Sequence, residues 1–292
     1  MSQALAKALA RLLEVHPASV AASIMTIAQR KQLDEFARRT QSILVSTKGR
    51  GAIYAIRDVD VIELKVRQLV PSYGEQLSAP QRAANIAATR SSKTGRVTHD
   101  VTHILLKTRG NPCWYRADKR TEQLHKANEE FGVAALEIGG DKNCALFSQQ
   151  PIWLVENQEL FDQLDWLPSA EKTTVIWYRG QLHNKLIDWL SVPERASMVY
   201  FFADYDGVGL NNYRRLKERL GKRTEFWMML NWRELLTRYG QNQLWLDTSR
   251  EFESFERNIG PWFEQESELQ ELVKAMKKQG LALEQEVVWL DR

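Results

Sequence analysis

Residues 200–210 read Tyr-Phe-Phe-Ala-Asp-Tyr-Asp-Gly-Val-Gly-Leu. The apolar run 198–203 has the composition of a buried strand and stops at Asp204 and Asp206. Leu210, Tyr213, Leu216 and Leu220 then recur at helical spacing up to a stop at Gly221. Two runs upstream repeat the plan. Residues 152–155 (Ile-Trp-Leu-Val) end at Glu156 and lead into Leu160, Phe161 and Leu164 at helical spacing. Residues 173–178 (Thr-Thr-Val-Ile-Trp-Tyr) turn at Arg179-Gly180 into the stripe Leu182, Leu186, Trp189 and Leu190. Apolar strands alternating with amphipathic helices predict an α/β fold with a mainly parallel sheet covered on both faces. Such a sheet carries its site at the carboxyl ends of its strands, where Glu156, Asp204 and Asp206 all fall.

Side chains alternate along a strand, so acids spaced by two, such as Asp204 and Asp206, can point the same way. Three carboxylates at one sheet edge repel one another, and a hard, oxygen-seeking cation relieves that repulsion. The order strand-Glu, strand-Gly, strand-Asp-x-Asp, each followed by a helix, resembles the Toprim domain of topoisomerases, primases and overcoming-lysogeny-defect nucleases. Val-Glu-Asn at 155–157 with Phe161, the Asp-Tyr-Asp-Gly-Val-Gly-Leu run, and Leu-Glu-Gln-Glu at 283–286 are similar to the Toprim nuclease subunit of Wadjet or MksBEFG-type SMC anti-plasmid systems (JetD, or MksG). That family is related to the A subunit of topoisomerase VI and carries a winged helix ahead of Toprim.

The resemblance implies a Rossmann-like Toprim domain and a metal-dependent endodeoxyribonuclease using one or two Mg²⁺ or Mn²⁺ ions. Asp204 and Asp206 would hold one ion. Glu156 would hold a second or act as a base through water, and Glu284 or Glu286 would be a distal ligand. It also implies a homodimer that acts with an SMC–kleisin complex to cut foreign circular DNA. Arg179, His183 and Lys185, just after the second strand, are candidates to stabilise transition-state charge, although an exposed helix face explains them as well. The Asp-Gly-Val-Gly run lets backbone approach closely, and the helix N-terminus after it favours an anion.

Charge divides unevenly along the 292 residues: 1–150 hold 22 Lys and Arg against 14 Asp and Glu, a net of +8, whereas 151–292 hold 18 against 23, a net of −5. A basic front half joined to an acidic back half fits binding of double-stranded DNA beside a metal site. Leu5, Leu9, Leu12 and Leu13 give an amphipathic helix stopped by Pro17, and Ile24, Ile27, Leu33 and Phe36 suggest two short helices. The period then changes to two, with 43–45 and 53–56 flanking the basic turn Lys48-Gly49-Arg50-Gly51. Helices followed by such a hairpin suggest a winged-helix module whose tip, Lys48 and Arg50, touches phosphates. Between 82 and 120, nine cations, among them Arg90, Lys93, Arg96, Lys107 and Arg109, face only Asp100 and Asp118, with Trp114 and Tyr115 interleaved. This reads as a surface for a phosphate backbone. The expected division is 1–75 winged helix, 76–148 basic connection and 149–292 catalytic domain.

Several classes recede. No apolar run approaches the ~20 residues that span a bilayer, and no signal-peptide core opens the chain, so a cytoplasmic protein is expected. Cys113 and Cys144 read as free thiols. His99 and His103 stand four apart but lack the Glu and third ligand of a zinc helix. No Gly-x-Gly-x-x-Gly follows the first strand of the α/β region, which disfavours a dinucleotide enzyme. A topoisomerase VI-like transesterase would need Tyr54 or Tyr115 as nucleophile; Tyr54 lies in an apolar strand and Tyr115 has no activating partner in view. A non-catalytic DNA-binding adaptor stays open, and metal binding discriminates it.

Overall fold

The chain folds as two compact units, 1–99 and 100–292, in a computed structural model that describes residues 3–49, 51–75, 78–94, 101–139, 146–168, 172–180 and 182–290. Arg50, Arg96, His99, Asp100 and Cys144 lie outside the described residues, as does the side chain of Lys48.

In the first unit α1 (Gln3–Val15) presents Leu5, Leu9 and Leu12 to the core. A two-residue strand β1 (Val20–Ala21) and a 3-10 turn lead to α2 (Ile27–Thr40). The start of α2 is fixed by a capping box in which Thr26 accepts from the Gln29 N–H while the Gln29 side chain reaches back to the Thr26 N–H. The predicted hairpin follows as β2 (Ile43–Lys48) and β3 (Gly51–Ile56), and β1 joins β3 to complete a three-stranded antiparallel sheet. Gly49 sits in the turn at φ +63°, in the left-handed region. Helix α3 (Val59–Leu69), capped by Asp58, buries Ile62 and Val66, and α4 (Gln81–Thr89) comes last. Leu9, Leu12, Leu33, Tyr54, Ile62 and Val66 make one core.

The second unit opens with strands where a connecting region was expected. They are β4 (Thr102–Arg109), β5 (Trp114–Arg116) and β6 (Lys119–Thr121), followed by α5 (Gln123–Phe131), β7 (Ala134–Ile138) and β8 (Leu146–Ser148). Then come β9 (Ile152–Val155), α6 (Gln158–Asp162), β10 (Thr173–Trp177), α7 (Asn184–Ser191), β11 (Val199–Phe202), α8 (Gly207–Leu220) and β12 (Thr224–Phe226). The chain continues through α9 (Trp232–Tyr239), α10 (Asn242–Asp247), α11 (Ser249–Arg257) and α12 (Ser267–Gln279) to a 3-10 segment, Gln285–Leu290. Six strands form one sheet in the order β12-β11-β9-β10-β4-β7, and β5, β6 and β8 form a small antiparallel one. Strands β12, β11, β9 and β10 run parallel; β4 is antiparallel to both its neighbours. All of β9 and the first four residues of β10 are buried, which accounts for their uninterrupted apolar sequence.

Three expectations are corrected. The stretch 76–148 is no linker between domains, because β4 and β7 pair into the main sheet. The run 224–230, which by composition reads as a fourth strand, ends as one at Phe226: the Trp227 N–H still reaches Phe201 O, but the Tyr205 hydroxyl then receives the Met229 N–H and turns the chain away. Residues 286–290, whose composition reads as a last strand, lie in a 3-10 segment. Just ahead of it Ala282 and Leu283 pair like strand residues, each exchanging two backbone bonds, with Gln241 and Tyr205 respectively, while the Gln285 N–H is drawn instead to the Asp204 carboxylate.

Candidate active site

Strand β9 sits between β10 and β11, and the chain leaves its carboxyl end toward β10 but leaves that of β11 toward β12, on the opposite side. Two adjacent parallel strands whose connections diverge open a crevice at their carboxyl ends, the place where open α/β sheets bind ligands. Val155 pairs with Phe202 in the last register of β9 and β11, so Glu156 and the 204–206 run emerge side by side at that crevice.

Each carboxylate there is held by a donor from the fold. Glu156 Oε2 accepts the Tyr178 hydroxyl at 2.9 Å. Asp204 Oδ1 accepts both the backbone N–H and the side-chain amide of Gln285, at 2.8 and 3.3 Å. Asp206 is the N-cap of α8, its Oδ1 2.7 Å from the Gly209 nitrogen. Glu286, brought in by the C-terminal segment, accepts through Oε1 from the Asn157 amide, while its Oε2 is buried with no hydrogen-bond partner.

The acids feel one another. Burial, then the Asp204 charge, pushes the Glu156 carboxyl up to about 8, with Asp206 and Glu286 adding and the Tyr178 bond opposing. Asp204 rises to about 6, chiefly by burial, with Asp206 and Glu284 adding to it and Gln285 holding it down. Asp206 also rises to about 6 by burial, against the cap bonds from Gly209 and Val208. Glu286 is raised by burial and by Asp204 and Glu284. Glu156, Asp204 and Asp206 are therefore within electrostatic reach of one another, with Glu286 acting on Glu156 and Glu284 acting on Asp204 and Glu286. Glu284 accepts from the Gln241 amide beside the group.

The donor set, all carboxylate oxygens with a buried unpartnered one among them, has the chemistry of a hard divalent cation site. Among the described residues no group of three or more His, Cys, Asp or Glu side chains is arranged to hold an ion on its own.

The two glycines of the Asp-Gly-Val-Gly run permit approach of the chain to itself. A Cβ on Gly207 would lie 2.0 Å from the O of Thr248, the residue before α11, and one on Gly209 would lie 2.2 Å from Asp204 O. The N–H groups at the start of α8 are likewise spent on Asp206 rather than left for an outside anion. Beyond β10, Arg179 (φ +61°) lays its guanidinium 4.7 Å from the Trp177 ring centre, and the Gly180 Cβ position is 3.6 Å from Glu156 Oε1. His183 is exposed at the N-cap of α7 and Lys185 stands in its first turn. None of Arg179, His183 and Lys185 forms an ion pair with the carboxylates among the described residues.

The basic stretch does not act as one surface. Arg90 and Lys93 are exposed in the first unit. Lys107 and Arg109 instead lie on β4, inside the sheet of the second. Lys107 Nζ donates to Asp162 O at 3.0 Å and pairs with its carboxylate, and Arg109 donates to Leu164 O and Leu167 O, both at 3.3 Å. These cations tie the segment after α6 to the sheet. Trp114, interleaved with those cations in sequence and so a candidate to stack on a base, is instead core: it is 1% exposed, donates to Thr174 Oγ1 at 3.0 Å and stacks on Trp189. Tyr54 is core, with its hydroxyl on Asp34, and Tyr115 stacks on Phe147. His103 lies on β4 opposite Glu137, so the zinc-helix spacing has no helix beneath it.

Tyr178, Gln285 and Asn157 were not singled out as functional from sequence. Tyr178 reads as the last residue of an apolar strand, and only the Leu-Glu-Gln-Glu run hinted that Gln285 accompanies the site. Residues 117–290 match the family model described as a domain of unknown function, DUF7281, and the chain belongs to that family. No curated protein matches it.

Proposed function

We propose that this member of the DUF7281 family is a metal-dependent endodeoxyribonuclease, its second unit a Toprim catalytic domain and its first a winged-helix DNA-binding module. The observation that carries the reading is the group of four carboxylates, buried Asp206 with half-buried Glu156, Asp204 and Glu286, whose charges act on one another at the switch point of a parallel sheet. Burying mutually repelling acids costs stability, and a purely structural role is served better by neutral amides. Carboxyls raised this way are the usual mark of a functional site.

Asp204 and Asp206 would hold one Mg²⁺ or Mn²⁺ ion and Glu156 with Glu286 a second. Mg²⁺ takes only one or two carboxylates per ion, the rest of its shell being water and substrate phosphate, so three protein ligands on one ion are not required. Such ions neutralise charge on the reacting phosphate and lower the pKa of water. The chain's own residues do the positioning. Gln285 fixes the Asp204 carboxylate, the start of α8 fixes Asp206, and Tyr178 fixes Glu156, each leaving the carboxylate in one orientation toward the crevice. Glu156 would hold the second ion or act as a base through water; a bound cation would offset the repulsion from Asp204, Asp206 and Glu286 that raises its carboxyl and would favour the ionised form that either role needs.

In the first unit, the order α1, β1, α2, β2, β3, with a 3-10 turn ahead of α2, supports the winged-helix reading, in which α2 would be the recognition helix and the turn at Gly49 the wing tip. Exposed Lys31 and Arg38 on α2, with Arg90 and Lys93, supply cations for phosphate contacts. By the resemblance to JetD and MksG, the protein works as a homodimer, the nuclease subunit of an SMC–kleisin complex that cuts plasmid DNA. No helix among the described residues is long and apolar enough to cross a membrane. Tyr54, buried and bonded to Asp34, makes no topoisomerase-like nucleophile.

Isothermal titration with Mn²⁺ separates nuclease from adaptor. The nuclease reading expects saturable binding that D204N/D206N loses. Asparagine keeps the acceptor for Gln285 and the α8 cap, so the fold survives the change. Equal binding by the variant, or none by the wild type, favours the adaptor.

A further inference from the structure

Pairing places Trp153 of β9, Tyr200 of β11 and Glu225 of β12 in one row across the sheet, and paired residues share a face. Together with Trp227, Thr173 and Pro151 they line a surface cavity of about 330 Å³. It lies toward the amino ends of the strands, apart from the carboxylate crevice: Trp153 precedes Glu156 by three positions, roughly 10 Å along an extended strand. Its walls are aromatic. The ring centres of Trp153 and Tyr200 are 4.6 Å apart, and Trp227 meets Trp153 edge-on at 5.6 Å and 68°. Among the described residues the one carboxylate or cation in the lining is Glu225, which is exposed and has no hydrogen bond or ion pair among them. Its cationic neighbour Lys217 is committed elsewhere, with Nζ 2.5 Å from Glu266 Oε1 and 3.0 Å from Thr224 O.

An aromatic hollow rimmed by an unpaired carboxylate selects its ligand by charge. A nucleotide would stack, but its phosphate would meet Glu225, and the Glu266 carboxylate adds further negative potential there. A simple ammonium uses the carboxylate and gains little from a flat ring surface. A guanidinium uses both: its plane stacks on aromatic faces and its N–H fork matches a carboxylate. We propose that this cavity is the docking site for the guanidinium of an arginine side chain presented by a partner polypeptide, stacked against Tyr200 and Trp227 and bonded to Glu225.

The test uses the full chain carrying 5-fluorotryptophan, titrated with the blocked tripeptide acetyl-Gly-Arg-Gly-amide and followed by ¹⁹F NMR. W227F assigns the Trp227 signal among the ten tryptophans. The expected result is a saturable shift of the Trp227 resonance and weaker binding of the lysine tripeptide. E225Q, on an exposed residue, should weaken binding about tenfold without changing the melting temperature. No saturable shift by the arginine tripeptide overturns the proposal. So does equal binding by E225Q, by the lysine tripeptide or by tetramethylammonium. Free arginine binding more tightly than the tripeptide overturns the polypeptide source, because the site would then serve a free amino acid.

Discussion

Replacing Glu156 with glutamine removes a charge from the crevice while keeping the shape of the side chain and an oxygen for the Tyr178 hydroxyl. In the folded chain that carboxyl is pushed from 4.5 to about 8, by burial first and by Asp204 next. A carboxyl raised on folding binds its proton more tightly in the native state. Its contribution is therefore present in full below pH 4.5 and is lost as the pH rises toward 8. Converted at the usual rate per pK unit, the complete loss is about 5 kcal/mol as an upper limit. Water in the crevice and adjustment of Asp204 and Glu286 reduce it to about 2 kcal/mol. Glutamine never ionises, so E156Q escapes the loss. In EDTA at pH 8 the variant should melt above the wild type by about 4–8 °C, the effect of 2 kcal/mol on a unit of this size. At pH 5 the two should nearly coincide. Near-UV circular dichroism, which reports the tryptophan-rich second unit, follows both melts. Adding Mn²⁺ at pH 8 should then raise the wild type more than the variant, since a ligand stabilises the state that binds it. A variant destabilised at pH 8, or one that tracks the wild type from pH 5 to 8, refutes the claim that mutual repulsion of buried acids is built into this site.

Four further substitutions probe the surroundings. G209A puts a methyl group 2.2 Å from Asp204 O and should cost about 1–3 kcal/mol by overpacking; a neutral result in chemical denaturation would contradict the close approach. W114A should cost about 3–5 kcal/mol as a buried aromatic truncation and leave DNA affinity intact, whereas lost affinity with unchanged stability would restore the stacking role. K107A and R109A should each lower stability by about 1–3 kcal/mol through lost charge-assisted bonds. Neither should change the salt dependence of DNA binding, and a shallower slope would return these cations to the phosphate surface.

The α/β architecture was legible because β9, β10 and β11 are covered on both faces and free of charged residues, with acids only where the chain leaves their carboxyl ends. Glu156, Asp204 and Asp206 were legible for the same reason. The donors that hold them were not: Gln285 lies 81 positions from Asp204 and Tyr178 lies 22 from Glu156, and no local period links residues joined only by tertiary structure. Local charge counts misled at Lys107 and Arg109: the partners of Arg109 are backbone carbonyls, which add no acid to the sequence, and the acid paired with Lys107, Asp162, lies 55 positions away. Trp114 misled likewise, since its neighbours in sequence are basic whereas its neighbours in space are Thr174 and Trp189. The segment 285–290 has strand-like composition, yet the pull of Asp204 on the Gln285 N–H gives it another conformation.

The central claim is that the crevice between β9 and β11 cuts DNA. Supercoiled plasmid incubated with the purified protein in Mn²⁺ or Mg²⁺, beside EDTA and beside D204N/D206N, tests it most directly. Metal-dependent nicking or linearisation that the double variant loses is the predicted result. Equal cutting by both proteins, or cutting that persists in EDTA, would contradict it.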